Sequence, residues 1–285
     1  MNISLSDITY SYPLPGGGFR PALKGVSLEI RQGSCLGIIG PEGAGKTTLL
    51  LVLDMLLQPD RGILSIDGRV VGTKDSRTHD VRQKIGMEFQ FPEEQFVAES
   101  VRLEILFGLD SGSRTLLRTP EEALSSVGIN AAEVLDRSPF LLSMGEARRV
   151  ALASLLRRDP AILLLDEPTA GLDGRGREDF IKALMSMPAA QKTMVIVSHD
   201  LDFLAEVATD VAVLCDGCLT GVGEVGSILT DIGLLQRAGY ERPELIDVLE
   251  ELARKGRIPP GRFYRAREVE RLLNGESSEM LNHGK

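Results

Sequence analysis

A chain of 285 residues that is 43% hydrophobic and 26% charged is long enough to bury a large core and too apolar to be a disordered, collagenous or disulfide-scaffold chain. Its 32 basic and 41 acidic residues leave a formal net charge of −9, which argues against a surface given over to nucleic acid. The best apolar run, Leu49 to Leu57, has nine residues with Asp54 inside it, well short of the ~18 that a membrane helix needs.

Met1 to Tyr12 has neither a basic stretch nor a long apolar segment, so no secretory signal is expected, and Cys35, Cys215 and Cys218 are expected as reduced thiols of the cytosol. Ile3 to Tyr10 and Ala22 to Ile30 are strand-like and flank the turn region Pro13 to Gly18, which predicts an antiparallel hairpin. Ser34 to Ile39 is apolar with little alternation, as in a strand buried on both faces, and Lys46 to Leu57 is apolar nearly all round, as in a buried helix. Ile63 to Val71, around Asp67-Gly68, predicts a second hairpin. From about 92 to 158 helical patterns take over, an inserted helical subdomain. Strands return at Ala161 to Leu165 and Thr193 to Val197, each followed by a helix-length segment, which is the rhythm of a parallel sheet. A last hairpin, Val211 to Leu214 and Leu219 to Val222, turns at Asp216-Gly217. That turn accounts for the Cys215-x-x-Cys218 spacing without metal or redox chemistry, because a tetrahedral site needs more ligands than these two thiols supply.

Beyond Gly223 the character changes. Leu245, Val248, Leu249 and Leu252 fall at helical spacing among Glu241, Glu244, Asp247, Glu250 and Glu251; then Arg254 to Arg271 carries seven basic residues against Glu268 and Glu270. The expected organisation is a core over 1–223, with the helical insertion at about 92–158, and a C-terminal helical appendage over 224–285.

Gly40-Pro41-Glu42-Gly43-Ala44-Gly45-Lys46-Thr47 fits G-x-x-x-x-G-K-[ST], with a predicted strand before it and a helix after it. Glycines let backbone N–H groups wrap a phosphate, the helix N-terminus adds partial positive charge, Lys46 reaches the β- and γ-phosphates, and Thr47 offers its hydroxyl to Mg²⁺. Thr48 is counted with the nucleotide-binding residues. Ile162 to Leu165 leads into Asp166-Glu167 at the carboxyl edge of the sheet, where ligands of open α/β sheets bind. There Asp166 suits Mg²⁺ coordination and Glu167 suits activation of a water for in-line attack on the γ-phosphate. The expected fold class is therefore α/β: a P-loop NTPase with a mixed sheet, an antiparallel N-terminal β region, an inserted helical subdomain and a small C-terminal helical tail.

Leu142-Ser143-Met144-Gly145-Glu146 resembles the LSGGQ-type signature of ATP-binding-cassette ATPases, and Ser143-x-x-Glu146 also reads as a helix capping box. Ala170-Gly171-Leu172-Asp173 resembles the D-loop of that family and Ser198-His199-Asp200 its H-loop. The resemblance implies that Tyr12, or alternatively Tyr10, stacks on adenine, that Gln90 is the Q-loop glutamine near Mg²⁺, and that His199 contacts the γ-phosphate. It implies as well that the P-loop NTPase fold is a cassette, that Ser143, Met144, Gly145 and Glu146 meet the nucleotide of a partner subunit, and that Asp173 is the D-loop aspartate.

Phe89-Gln90-Phe91-Pro92-Glu93-Glu94-Gln95 is similar to a stretch of the ATPase subunits of energy-coupling-factor transporters, which import cobalt or nickel ions and B vitamins. That likeness implies a peripheral ATPase on the cytoplasmic face of the cell membrane. Its implied partners are a transmembrane transporter subunit, a substrate-binding membrane subunit and a second ATPase, identical or not, held partly by the helical tail; nucleic acid is not expected. The alternatives are an ATPase of another cassette transporter, or a soluble cassette ATPase of DNA repair or iron–sulfur assembly. Two departures stand out. Met144 replaces the first signature glycine and Glu42 puts a carboxylate in the phosphate loop, so slow hydrolysis, or one weak site in a heterodimer, is expected.

Overall fold

The computed structural model of the protein describes residues 1–72, 76–91, 96–107, 118–187, 192–259, 263 and 265–273. The chain opens with β1 (Ile3–Pro13) and β2 (Phe19–Ile30), continues through β3 (Cys35–Ile39) and α1 (Lys46–Leu53), and turns through β4 (Arg61–Ile66) and β5 (Arg69–Val71). After α2 (Ser76–Arg82) and β6 (Ile85–Glu88), the insertion supplies α3 (Val101–Leu106), α4 (Pro120–Ser126), α5 (Ala131–Val134) and α6 (Met144–Leu156). The core resumes with β7 (Ile162–Asp166), α7 (Gly174–Ser186), β8 (Thr193–Val197), α8 (Leu201–Val207), β9 (Asp210–Cys215) and β10 (Cys218–Glu224). Among the described residues four helices follow: α9 (Val225–Thr230), α10 (Ile232–Arg237), α11 (Glu244–Arg254) and α12 (Ala266–Leu273).

Among the described residues the strands form two sheets. The antiparallel one has the order β2-β1-β4-β5, and the larger one the order β10-β9-β3-β8-β7-β6, parallel except where β10 pairs with β9. The Asp67-Gly68 and Asp216-Gly217 turns both carry two residues at positive φ, the backbone that lets a two-residue loop follow the strand twist.

β3 and β7 are buried at every position because each face of the larger sheet has its own cover. Leu36, Ile38, Ile162 and Leu164 join α1 and the antiparallel sheet in one cluster, while Cys35, Ile39, Leu163 and Leu165 join the helices on the other side. Period-two alternation between two apolar layers reads in sequence as an unbroken apolar run.

The structure differs from the expected elements in three places. α1 stops at Leu53, not Leu57: Met55 adopts φ 58° and the amide of Leu56 donates to the carbonyl of Leu51, a left-handed helix stop. Periodicity predicts no strand over 85–88, yet β6 pairs parallel with β7; four residues that include Gly86 and Glu88 carry too little pattern to announce an edge strand. The large core also continues past Gly223. Val225, Ile228 and Leu229 of α9, and Leu234 and Leu235 of α10, belong to the same cluster as the insertion, whereas Ile246, Leu249, Ile258 and Val269 form a small cluster of their own.

That small unit is tied to α8. The Arg265 guanidinium donates to the carbonyls of Glu206 (2.6 Å) and Ala208 (2.8 Å), so one of the seven basic residues caps a helix C-terminus. No helix among the described residues is long and apolar enough to cross a membrane.

Candidate functional site

Three neighbouring parallel strands end at one edge of the larger sheet: β3 enters the 40–45 loop, β7 ends in Asp166-Glu167, and β8 ends in Ser198-His199. Parallel pairing alone brings these segments together, although more than 100 residues separate Thr47 from Asp166 in the chain.

In the loop, Gly40 has φ 150° and a Cβ there would overlap the carbonyl oxygen of Leu214, so no other residue fits. Gly45, at φ 100°, caps α1 with no side-chain hydrogen bond, which leaves the first amides of the helix uncovered by a capping side chain. Lys46 is 7% exposed and donates from Nζ to the carbonyls of Gly40 (2.6 Å) and Pro41 (2.9 Å). Burial lowers its pKa, against the opposing pull of Glu167, Asp166 and Glu42. The Thr47 hydroxyl donates to Asp166 Oδ2 at 2.8 Å.

Gly45, Lys46, Thr47 and Asp166, with Glu42, Gly43, Ala44, Thr48, Gln90, Glu167, His199 and Tyr12, line a cavity of about 720 Å³, while Gly40 and Pro41 do not line it. Tyr12 Oη lies 3.2 Å from Thr48 Oγ1, while Tyr10 packs edge-on against Tyr12 and is not part of the cavity wall. Of the two aromatic candidates, Tyr12 is the one at the cavity. Glu42 is exposed at its rim.

Glu167 sits at φ 49°, a left-handed backbone that β-strand residues avoid, and its amide donates to the Val197 carbonyl at 2.8 Å. Its Oε2 accepts from the His199 amide at 3.2 Å, and its Oε1, which makes no hydrogen bond, lies 3.3 Å from His199 Nε2. Burial pushes the carboxyl up to about 7, with the His199 amide pulling the other way and Asp166 adding to the rise. A carboxylate in that range suits proton abstraction at neutral pH. Asp166 is likewise raised by burial, against Thr47 and Lys46; burial and the Lys46 charge lower His199 towards the neutral imidazole. His199 is followed by Asp200, which caps α8 and takes a two-pronged contact from Arg177 at 2.7 and 3.1 Å.

The signature residues lie elsewhere. Ser143, Met144, Gly145 and Glu146 start α6 outside this chain's own cavity. Ser143 Oγ accepts from the Glu146 amide at 3.3 Å and Glu146 Oε2 accepts from the Ser143 amide at 2.8 Å, so the capping box forms. The Met144 thioether folds over Gly171, where a Cβ would overlap its sulfur. Asp173 caps α7 through the Gly176 amide at 2.7 Å. Pro92, Glu93, Glu94, Gln95 and Arg262 lie outside the described residues.

Two contributors escape sequence reasoning. Arg148, 1% exposed, donates to the carbonyls of Gln90 (2.7 Å) and Ala170 (3.0 Å), joining α6 to both neighbouring loops. Tyr240, just beyond α10, reaches Gly40 and His199. Arg148 was visible as a basic residue near the signature, but nothing in the local pattern marks Tyr240.

A family model described as ABC transporter matches residues 23–170. An energy-coupling factor transporter ATP-binding protein, EcfA2, of Streptococcus sanguinis is 37% identical over 90% of this chain and 93% of its own length. A second EcfA2, of Methanospirillum hungatei, is 36% identical over 91% of this chain, which spans only 64% of that relative. Among solved structures, cbiO1 of Clostridium perfringens, part of the ABC transporter complex cbiONQ, superposes with a TM-score of 0.71 at 25% identity, covering 95% of this chain and 98% of cbiO1.

Proposed function

The chain belongs to the ABC transporter family and is similar over most of its length to energy-coupling factor ATP-binding proteins, and from that premise we propose that it is the ATP-hydrolysing subunit of an importer of that type, for a metal ion or a vitamin. The observation that carries this reading is the convergence of the Thr47–Asp166 hydrogen bond with the Glu167–His199 pair at one sheet edge.

ATP enters with its phosphates against the 40–45 loop and its base against Tyr12. Lys46 exchanges the Gly40 and Pro41 carbonyls for phosphate oxygens. Glu167 takes a proton from the attacking water as its oxygen bonds to the γ-phosphorus and the bond to the β-phosphate oxygen breaks; His199 donates to the γ-phosphoryl group. Oxygen donors suit a hard divalent cation, and Thr47, Asp166 and Gln90 would hold Mg²⁺. When bound, Mg²⁺ would supply charge neutralisation on the phosphates.

The second half of each site comes from a partner ATPase, whose Ser143, Gly145 and Glu146 counterparts present a capped helix start to the γ-phosphate. The display of these residues outside their own cavity supports that exchange. The 244–273 unit contributes to holding the two ATPases together. Motion passes through the Gln90 loop to a transmembrane subunit and a substrate-binding membrane subunit, with this chain peripheral on the cytoplasmic face. Detergent extraction of membranes containing the tagged chain should co-purify a polytopic partner; recovery only from the soluble fraction, with nucleic acid, would sink the transport reading.

Met144 crowds the D-loop at the seam between partners. Met144→Gly should raise the ATPase rate of the assembled complex a few-fold, about 1 kcal/mol of barrier, and an unchanged rate would show that the thioether does not limit closure.

A further inference from the structure

The C-terminal helices hold one stretch of the cassette, residues 199–208, at several points. Arg265 donates to the carbonyls of Glu206 and Ala208, the Ala266 amide donates to Glu206 Oε1 at 2.7 Å, and the Leu245 amide donates to Asp202 Oδ1 at 3.4 Å. At the front of this stretch, Tyr240 stacks on His199 with ring centroids 6.1 Å apart and planes at 25°. Its hydroxyl accepts from the Gly40 amide at 3.1 Å, lies 3.0 Å from the Gly40 carbonyl oxygen and 3.0 Å from His199 Nδ1.

A tyrosine hydroxyl has one proton to give, and here two acceptors compete for it. His199 Nε2 faces the otherwise unpartnered carboxylate oxygen Oε1 of Glu167 at 3.3 Å, which favours the imidazole proton on Nε2 and leaves Nδ1 to accept from the hydroxyl. An imidazole that accepts at Nδ1 carries its own proton on Nε2, the nitrogen that faces Glu167 Oε1. That is the form able to donate to a phosphoryl oxygen or to the carboxylate. The same hydroxyl touches both ends of the γ-phosphate environment, the phosphate loop through Gly40 and the strand end through His199.

We propose that Tyr240 is a positioning residue for ATP hydrolysis: it holds His199 with Nε2–H turned to the reacting edge and links the seat of the C-terminal helices on α8 to turnover. This rests on the reading of His199 as the γ-phosphate contact. Tyr240→Phe tests it, because the ring and its stacking stay while the hydroxyl leaves.

Two measurements separate the possibilities. The sequence has three histidines, so the imidazole ¹⁵N resonances of the full chain are assigned with His199→Ala. In Tyr240→Phe the His199 Nδ1 resonance should move towards that of an imidazole free of a tyrosine partner. In the assembled complex the variant should lose about tenfold in kcat, the scale of outer-shell hydrogen bonds to a functional histidine, with the KM for ATP within about twofold. Placed on His199→Ala, the same change should cost nothing more. An unmoved Nδ1 resonance would overturn the contact, and a full tenfold loss on the His199→Ala background would overturn action through His199. A purely structural role would lower the melting temperature and leave the resonance and the kcat-to-KM split unmoved. Parental kcat in His199→Ala would instead overturn the γ-phosphate reading, and the catalytic half of the proposal with it, while the resonance still decides the contact.

Discussion

Glu167→Gln should lower the kcat for ATP hydrolysis by about 10²- to 10⁴-fold, the usual worth of a general base, while ATP binding persists and the ATP-bound dimer accumulates. Glutamine keeps the size of the side chain and an oxygen that accepts from the His199 amide, now 3.2 Å from Glu167 Oε2. It removes the basic carboxylate that, in the proposed mechanism, takes the proton of the attacking water. In the proposed mechanism phosphate binding falls to other groups, Lys46 and the amides of the loop and of α1, so affinity and turnover should separate cleanly. Burial already holds the carboxyl up at about 7, so replacing it by a neutral amide also removes a desolvated charge and should not weaken the fold. Single-turnover hydrolysis and ATP-dependent dimerisation by light scattering read the two halves. Hydrolysis at the parental rate would mean that Glu167 is not the base.

How much of this was legible in the sequence follows the range of the interactions. The phosphate loop, the two Asp-Gly hairpins and the buried strands depend on neighbours in the chain: glycine spacing, turn chemistry, apolar runs. The pairing of Thr47 with Asp166 is remote, yet it was inferable because parallel βαβ units bring successive strand ends to one edge. The capping box of Ser143 with Glu146 spans three residues and reads directly. Tyr240 is the opposite case. It reaches Gly40 across 200 residues from a segment whose visible property is acidity, and a hydroxyl contact of that range leaves no periodic trace. The helical spacing of Val225, Ile228 and Leu229 was present in the sequence, but a spacing says that a face is buried without saying against which layer.

The same division explains why the candidate machinery hangs on residues that no motif contains. The phosphate loop, the Gln90 loop, the signature helix and the D-loop belong to separate elements, and something must keep them in register as nucleotide comes and goes. Within the chain, Tyr240 spans the phosphate loop and the end of β8, and Arg148 spans the Gln90 loop, α6 and the D-loop.

Arg148→Ala should cost about 3–5 kcal/mol, the range for removing one member of a buried charged constellation, and lower the melting temperature on the order of 10 °C. The guanidinium is 1% exposed, bridges Gln90 O and Ala170 O, and lies 4.0 Å from Glu88, itself 2% exposed. Alanine leaves a cavity the size of the long side chain, strips a donor from two backbone carbonyls and takes away the cation facing a buried carboxylate; each change acts in the same direction. Arg148→Lys separates charge from geometry. An ammonium keeps the positive charge but lacks the planar fork that serves carbonyls on two different loops, so the lysine variant should recover more than half of the lost stability and yet hydrolyse ATP more slowly than the parent. Thermal melts and steady-state ATPase rates on the three proteins decide it. A melting temperature for Arg148→Ala within about 2 °C of the parent would mean that the bridge contributes little, and parental turnover in Arg148→Lys would mean that charge alone keeps the Gln90 loop and the D-loop in register.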